Sequence, residues 1–267
     1  MTALYMAVTE SGIVMMTDGV AYDGDGVIRQ IHQKQLVRSD IGVVAASSGS
    51  GPFCQLLDAL CTEYSPASFD DFHRLMPGML RLALGDMERW RKADLAQGKT
   101  WATEQKSYAF ILYGGYSDEQ QKFIGYCIST YLIEPFGPKS LEPFTPEPMR
   151  LFAKPETTPE ARRTAGLGDD MAADLARDGA QVYGAKLILA MRRSPYALHG
   201  VGSVMGYGVG GFVQYTFLER NRATTDVLWR WPDEIGRVID PDEDVQIVVG
   251  QPSNVDSAEQ EALGEPV

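Results

Sequence analysis

The 267-residue sequence is short of cysteine, of histidine, of basic residues and of long apolar runs, and each shortage removes a class of protein. Its three cysteines, Cys54, Cys61 and Cys127, are odd in number and show no C-x-x-C spacing. Such a set builds neither a disulfide framework nor a zinc site; it reads as buried, reduced thiols in a reducing compartment. The three histidines, His32, His73 and His199, are scattered without metal-ligand spacing, so neither a metal nor a cofactor is expected. No run approaches the ~20 apolar residues of a membrane helix. Met1–Val8 lacks the basic start and apolar core of a signal peptide, so a soluble, cytoplasmic chain with no membrane partner is expected. Lysine and arginine total 24 against 36 aspartates and glutamates, a net charge of −12 without any basic cluster. A chain so acidic repels phosphate backbones, which removes nucleic acid as a partner. The glycines of 200–211 precede a strand rather than link a strand to a helix, so they do not form a phosphate-cradling loop.

What is present is the material of a packed domain: 44% hydrophobic and 22% charged residues, within the usual globular range. Ala3–Val8 and Gly12–Met16 are apolar runs joined by Thr9-Glu10-Ser11, which predicts a hairpin of buried strands. Ile41–Ala46 reads as a further strand that ends in the small residues Ser47-Ser48-Gly49-Ser50-Gly51. Phe53, Leu56, Leu57 and Leu60 then fall at helical spacing. A second helix carries Phe72, Leu75, Met76, Met79 and Ala83, is capped by Asp70 or Asp71, runs to about Ala93, and has Pro77 as a kink or break. Tyr108–Tyr113 and Phe123–Ser129 form the next hairpin. The prolines of 134–159 mark an ordered surface excursion. Helices over Pro159–Arg177 and Ala180–Arg193, then strands over Phe212–Glu219, Thr225–Trp231 and Val245–Val249, complete a single domain over 1–250. The acidic segment 251–267 reads as a mobile tail. Strands, helix pair, strands, helix pair, strands is a mixed α/β order. Two stacked sheets between two helix layers is one arrangement that buries every apolar face.

The chemistry begins at Thr2. A small second residue permits removal of Met1, and a terminal threonine then carries a hydroxyl nucleophile and an amine base on one residue. With an α-amino pKa of about 7.7–8.0, that amine is partly neutral at cell pH. Asp18 closes the second strand of the opening hairpin, whose antiparallel return brings it back towards Thr2. Lys34 lies in the next extended segment. Its charge can lower the pKa of the hydroxyl, with Asp18 as its counter-ion.

Thr2, Asp18 and Lys34 stand at equal intervals of sixteen residues. In this spacing the chain resembles the β subunits of proteasomes and their bacterial relatives HslV and Anbu, which are N-terminal-nucleophile hydrolases. Chance agreement at three such positions is on the order of one in several thousand. Gly12-Ile13-Val14-Met15-Met16-Thr17-Asp18-Gly19, Gly42–Gly49, Phe110–Tyr116 and the pair Gly210-Gly211 resemble that family's surrounding segments. The resemblance implies an α+β fold, a four-layer αββα sandwich, and a threonine endopeptidase with Thr2, Asp18 and Lys34 as its catalytic group. It also implies that the backbone of Ser48 or Gly49 holds the oxyanion.

By the same likeness the substrate is a peptide or unfolded protein, the assembly a homo-oligomeric ring or helical stack, and an unfoldase ATPase a further partner to test for. The chain departs from the family where a serine usually supports the amine. Gly166-Leu167-Gly168 has no hydroxyl, which leaves Asp169 or Asp170 as the substitute, and Gly206-Tyr207-Gly208-Val209 offers neither the usual Asp nor the usual Ser. Two alternatives follow: a scaffold subunit without turnover, and an amidase of the same class acting on a small amide.

Overall fold

The computed structural model describes residues 2–23, 25–49, 51–99, 106–137, 139–197, 205–220, 222–242 and 246–247. His199, Ser50 and the tail 251–267 lie outside them. The chain opens with β1 (Leu4–Val8) and β2 (Ile13–Asp18), the expected hairpin, and continues through β3 (Val20–Tyr22), β4 (Ile28–Ile31), β5 (Gln35–Arg38) and β6 (Val43–Gly49). Two helices follow, α1 (Phe53–Tyr64) and α2 (Phe69–Ala96), then β7 (Ala109–Ser117) and β8 (Lys122–Ser129). Short strands β9 (Ile133–Phe136), β10 (Lys139–Leu141), β11 (Glu147–Pro148) and β12 (Leu151–Lys154) lead to α3 (Pro159–Thr164) and α4 (Met171–Arg192). The last elements are β13 (Tyr196–Ala197), β14 (Met205–Gly206), β15 (Phe212–Glu219), β16 (Arg222–Arg230) and β17 (Gln246–Ile247).

Two sheets carry the fold. Sheet I has the order β12-β1-β2-β15-β16-β17, and sheet II the order β11-β8-β7-β6-β5. Period-2 alternation along the strands decides what each face buries. In β1, Tyr5 and Ala7 pack with Leu187, Ile188 and Met191 of α4. Leu4 and Met6, one residue out of phase, pack instead with Val44, Ala46, Phe110 and Leu112 of sheet II. The other face of sheet II, through Val43, Ala45, Ile111 and Tyr113, meets Phe53, Leu57, Phe72 and Met76 of α1 and α2. The three cysteines are all buried and free, and burial pushes the Cys54 thiol up to about 11.

Four details differ from the sequence expectation. The cap of α2 is Ser68, whose hydroxyl accepts from Asp71 N at 3.2 Å while the Asp71 carboxylate takes Ala67 N at 3.2 Å, so the serine caps the helix and the aspartate only supports the turn before it. Pro77 does not break α2, which runs through it from Phe69 to Ala96. Removing one N–H costs one bond, and the apolar stripe of Phe72, Met76, Met79 and Leu80 holds both sides of it against sheet II. The proline-rich segment is more than an excursion, because β12 pairs antiparallel with β1, Leu4 opposite Lys154, and so forms the edge of sheet I. The expected helix over 159–177 is interrupted before Asp170, the N-cap of α4. Within α4, Gly179 at φ 71 and ψ 167 separates two helical stretches at the boundary the sequence suggests.

Candidate active site

The site forms where the open end of the β1–β2 hairpin meets sheet II. Antiparallel pairing with Leu4 opposite Thr17 brings the chain just before β1 alongside the end of β2. Asp18 Oδ1 then accepts from Ala3 N at 3.0 Å, and the same oxygen accepts from Lys34 Nζ at 2.8 Å. One carboxylate oxygen thus joins the residue after Thr2 to the lysine ammonium. The other oxygen, Oδ2, accepts from Val20 N and from Gly210 N, each at 3.3 Å. Thr2, Asp18 and Lys34 are all buried, at 7%, 0% and 7% exposure. A buried ammonium is tolerated only when paired. Burial holds Lys34 below the ordinary lysine value, and the adjacent Asp18 charge opposes that fall.

The residue after Lys34 fixes its segment. Gln35 Nε2 donates to Gln214 O at 3.1 Å and Thr17 Oγ1 at 3.3 Å, while its Oε1 accepts from Thr216 Oγ1 at 2.6 Å. That side chain ties the start of β5 in sheet II to β2 and β15 in sheet I, so Lys34 is held from the side. Ser48 reaches Thr2 from β6, where Thr2 N donates to Ser48 Oγ at 3.3 Å. Pairing of β6 with β7 continues to Gly49, but pairing with β5 stops at Ala46. Among the described residues, the β5-facing side of the last residues of β6, Ser48 and Gly49 among them, therefore has no ladder partner. Gly49 sits at φ 141, and a Cβ there would lie 2.2 Å from Tyr108 O.

Asp169 and Asp170 are placed elsewhere. Asp170 caps α4 by accepting from Ala172 N and Ala173 N at 2.9 and 3.0 Å. Asp169 is exposed, and among the described residues no hydrogen bond joins either to Thr2. Leu167 packs in the apolar cluster that includes Ala3 and Tyr5.

Several site residues gave no signal in the sequence. Arg192 and Asp233, buried at 2% and 1%, pair at 2.9 Å, and Arg192 also donates to Val209 O at 3.0 Å. Asp233 Oδ2 takes Gly211 N at 2.6 Å, so the pair clamps the segment whose Gly210 N–H reaches Asp18. A Cβ on Gly210 would meet Asp233 Oδ2 at 2.3 Å, which explains a glycine there. Asp233→Ala takes from buried Arg192 the carboxylate that Asp233 supplies, while its bonds to Val209 O and Asp240 O stay, and is expected to cost about 3 kcal/mol. A urea titration reads this as a lowered midpoint with unchanged slope. His32 is half-buried beside Lys34 and Asp18, and burial lowers its pKa. The Tyr22 and Tyr196 hydroxyls, 2.9 Å apart, also sense the Asp18 charge, and burial keeps both phenols protonated. A groove of about 810 Å³ opens at the far end of the hairpin, between Thr9, Tyr116, Phe123 and Met149, away from all these groups.

No protein-family model matches the chain, and no curated protein does. Among solved structures, the fold is similar to an Anbu (Gly-1) mutant from Hyphomicrobium sp. strain MC1, with a TM-score of 0.47 and 14% identity over 85% of this chain and 87% of that one. It is also similar to Anbu (ancestral beta-subunit) from Yersinia bercovieri, with a TM-score of 0.47 and 11% identity over 82% of each chain. Likenesses this distant decide nothing about activity. Among the described residues no helix is long and apolar enough to cross a membrane.

Proposed function

We propose that the chain is a threonine-type peptidase subunit of the N-terminal-nucleophile class, built as a single four-layer αββα domain and acting in the cytoplasm on unfolded polypeptide. The observation that carries this reading is the shared Asp18 oxygen, which binds the Lys34 ammonium and the amide next to Thr2 in one buried group. What supports the layering is the trio of apolar clusters: helices α1 and α2 on sheet II, sheet II on sheet I, and α4 on sheet I.

Removal of Met1 frees the Thr2 amine. The neutral amine takes the Oγ proton as Oγ attacks the peptide carbonyl, and the Lys34 charge favours the forming alkoxide. The tetrahedral oxyanion is held by a backbone N–H at Ser48 or Gly49, on the unpaired side of β6. The ammonium then gives its proton to the leaving amine and the C–N bond breaks, leaving an ester on Oγ. Water, deprotonated by the same amine, hydrolyses the ester and restores the hydroxyl. Burial of Lys34 and Asp18 keeps water from screening their charges. A homo-oligomer that encloses such sites, served by an unfoldase ATPase, is the setting in which this chemistry acts selectively on unfolded chains. The test is hydrolysis of an unstructured polypeptide by the purified chain lacking Met1. Cleavage that disappears with Thr2→Ala supports the reading; cleavage that persists in that variant overturns it.

A further inference from the structure

We propose that the Ser48 side chain is the positioning group for the Thr2 amine, holding one of its N–H bonds and stabilising it when protonated. This rests on the nucleophile reading above and adds a role distinct from any oxyanion contact by the backbone of β6. Thr2 N, a peptide nitrogen while Met1 is attached, donates its N–H to Ser48 Oγ at 3.3 Å, and among the described residues no other side chain accepts from it; removal of Met1 turns this nitrogen into the amine beside the same oxygen. The backbone that carries the hydroxyl is anchored, because Ser48 is paired opposite Phe110 in the β6–β7 ladder. The segment before α4 offers no rival, since Leu167 is in the apolar core and Asp170 is occupied as a cap.

An amine that serves as base must point its lone pair at the adjacent Oγ. An acceptor fixed on the far side sets the rotation about the N–Cα bond and so aims that lone pair. The same oxygen accepts from the ammonium formed during attack, which favours the protonated form and raises the amine pKa. Lys34, before β5, opposes protonation, and Asp18 of β2 favours it. Half-buried His32 after β4 and the neutral hydroxyls of Tyr22 and Tyr196 complete the nearby titratable set. Lys154 of β12 lies across from Leu4, one pair beyond Ala3. None of these replaces the Ser48 oxygen as an acceptor at Thr2 N.

The experiment compares the Met1-free parent, Ser48→Ala and Ser48→Thr. Peptide hydrolysis is followed against pH, and the Thr2 amine is titrated directly by its nitrogen-15 resonance. Ser48→Ala keeps the backbone N–H, so an oxyanion contact survives. The expected result is a kcat lower by about tenfold or more with KM little changed. The amine midpoint, and with it the acidic limb of the rate profile, moves down by about half a pH unit or more. Ser48→Thr restores both. An amine midpoint and rate profile in Ser48→Ala that match the parent overturn the proposal and leave the nucleophile reading standing. A midpoint that moves in a chain with no hydrolysis supports the contact and overturns the peptidase reading instead.

Discussion

Thr2→Ala is expected to lower the rate of peptide hydrolysis by at least about 10⁴-fold, to background, while leaving the fold intact. The size follows from what is deleted. The hydroxyl oxygen is the atom of the proposed site that bonds covalently to substrate, and loss of a nucleophile removes the whole covalent pathway rather than a fraction of it. Folding is spared because the bonds that assemble the site use the backbone: Ala3 N to Asp18 and Thr2 N to Ser48. Thr2→Ser keeps hydroxyl and amine and should retain activity within about tenfold of the parent. Steady-state kinetics on a fluorogenic peptide, with circular dichroism and denaturant midpoints alongside, check both. An alanine variant that still turns over gives the reaction to another group.

Asp18→Ala is the second large effect, on stability and on rate together. The substitution strips the acceptor from Ala3 N, Val20 N, Gly210 N and the Lys34 ammonium at once. Breaking a buried ion pair from one side costs about 3–5 kcal/mol, and the orphaned amides add to it. Activity should fall by about 10³-fold, because Lys34 loses the partner that keeps it charged. The sign of the pH dependence follows from Lys34. Its folded pKa is already below 10.5 and falls further without Asp18. Between the folded value and the unfolded one, the unfolded chain binds more protons, so stability rises with pH through that window. The deficit of the variant against the parent should therefore be largest well below that window and shrink as pH approaches the unfolded lysine value. It should not vanish there, since three amides stay unpaired. Adding Lys34→Met to Asp18→Ala should recover part of the loss. Urea midpoints across pH check each step, and a deficit that grows towards alkaline pH contradicts the pairing.

How far the sequence could be read depended on whether an interaction was local. The β1–β2 hairpin and α1 were legible because period-2 and period-3.6 patterns are written within a dozen residues. The spacing of Thr2, Asp18 and Lys34 was legible as a resemblance, and the hairpin pairing of β1 with β2 was legible as the reason Asp18 returns to Thr2, whereas β3 and β4, which intervene before Lys34, were not. The role of β12 was not, since the prolines on either side of it, Pro148 and Pro155, mask a short strand whose partner β1 is far away in the chain. Ser68 was passed over as a cap because the aspartates behind it carry the stronger charge signal, although its hydroxyl makes the bond. Gln35 bridging two sheets, the Arg192–Asp233 clamp, and Ser48 Oγ beside Thr2 N all join residues distant in sequence. Each of these residues reads alone as an ordinary polar side chain.

The most direct measurement is the intact mass of the purified chain before and after treatment with a peptide epoxyketone, which forms its ring only with a terminal hydroxyl and a terminal amine on the same residue. The expected result is a chain that lacks Met1 and gains one adduct, mapped to Thr2 and absent in Thr2→Ala. A chain that keeps Met1 and gains no mass contradicts the central claim and leaves a folded, non-catalytic subunit.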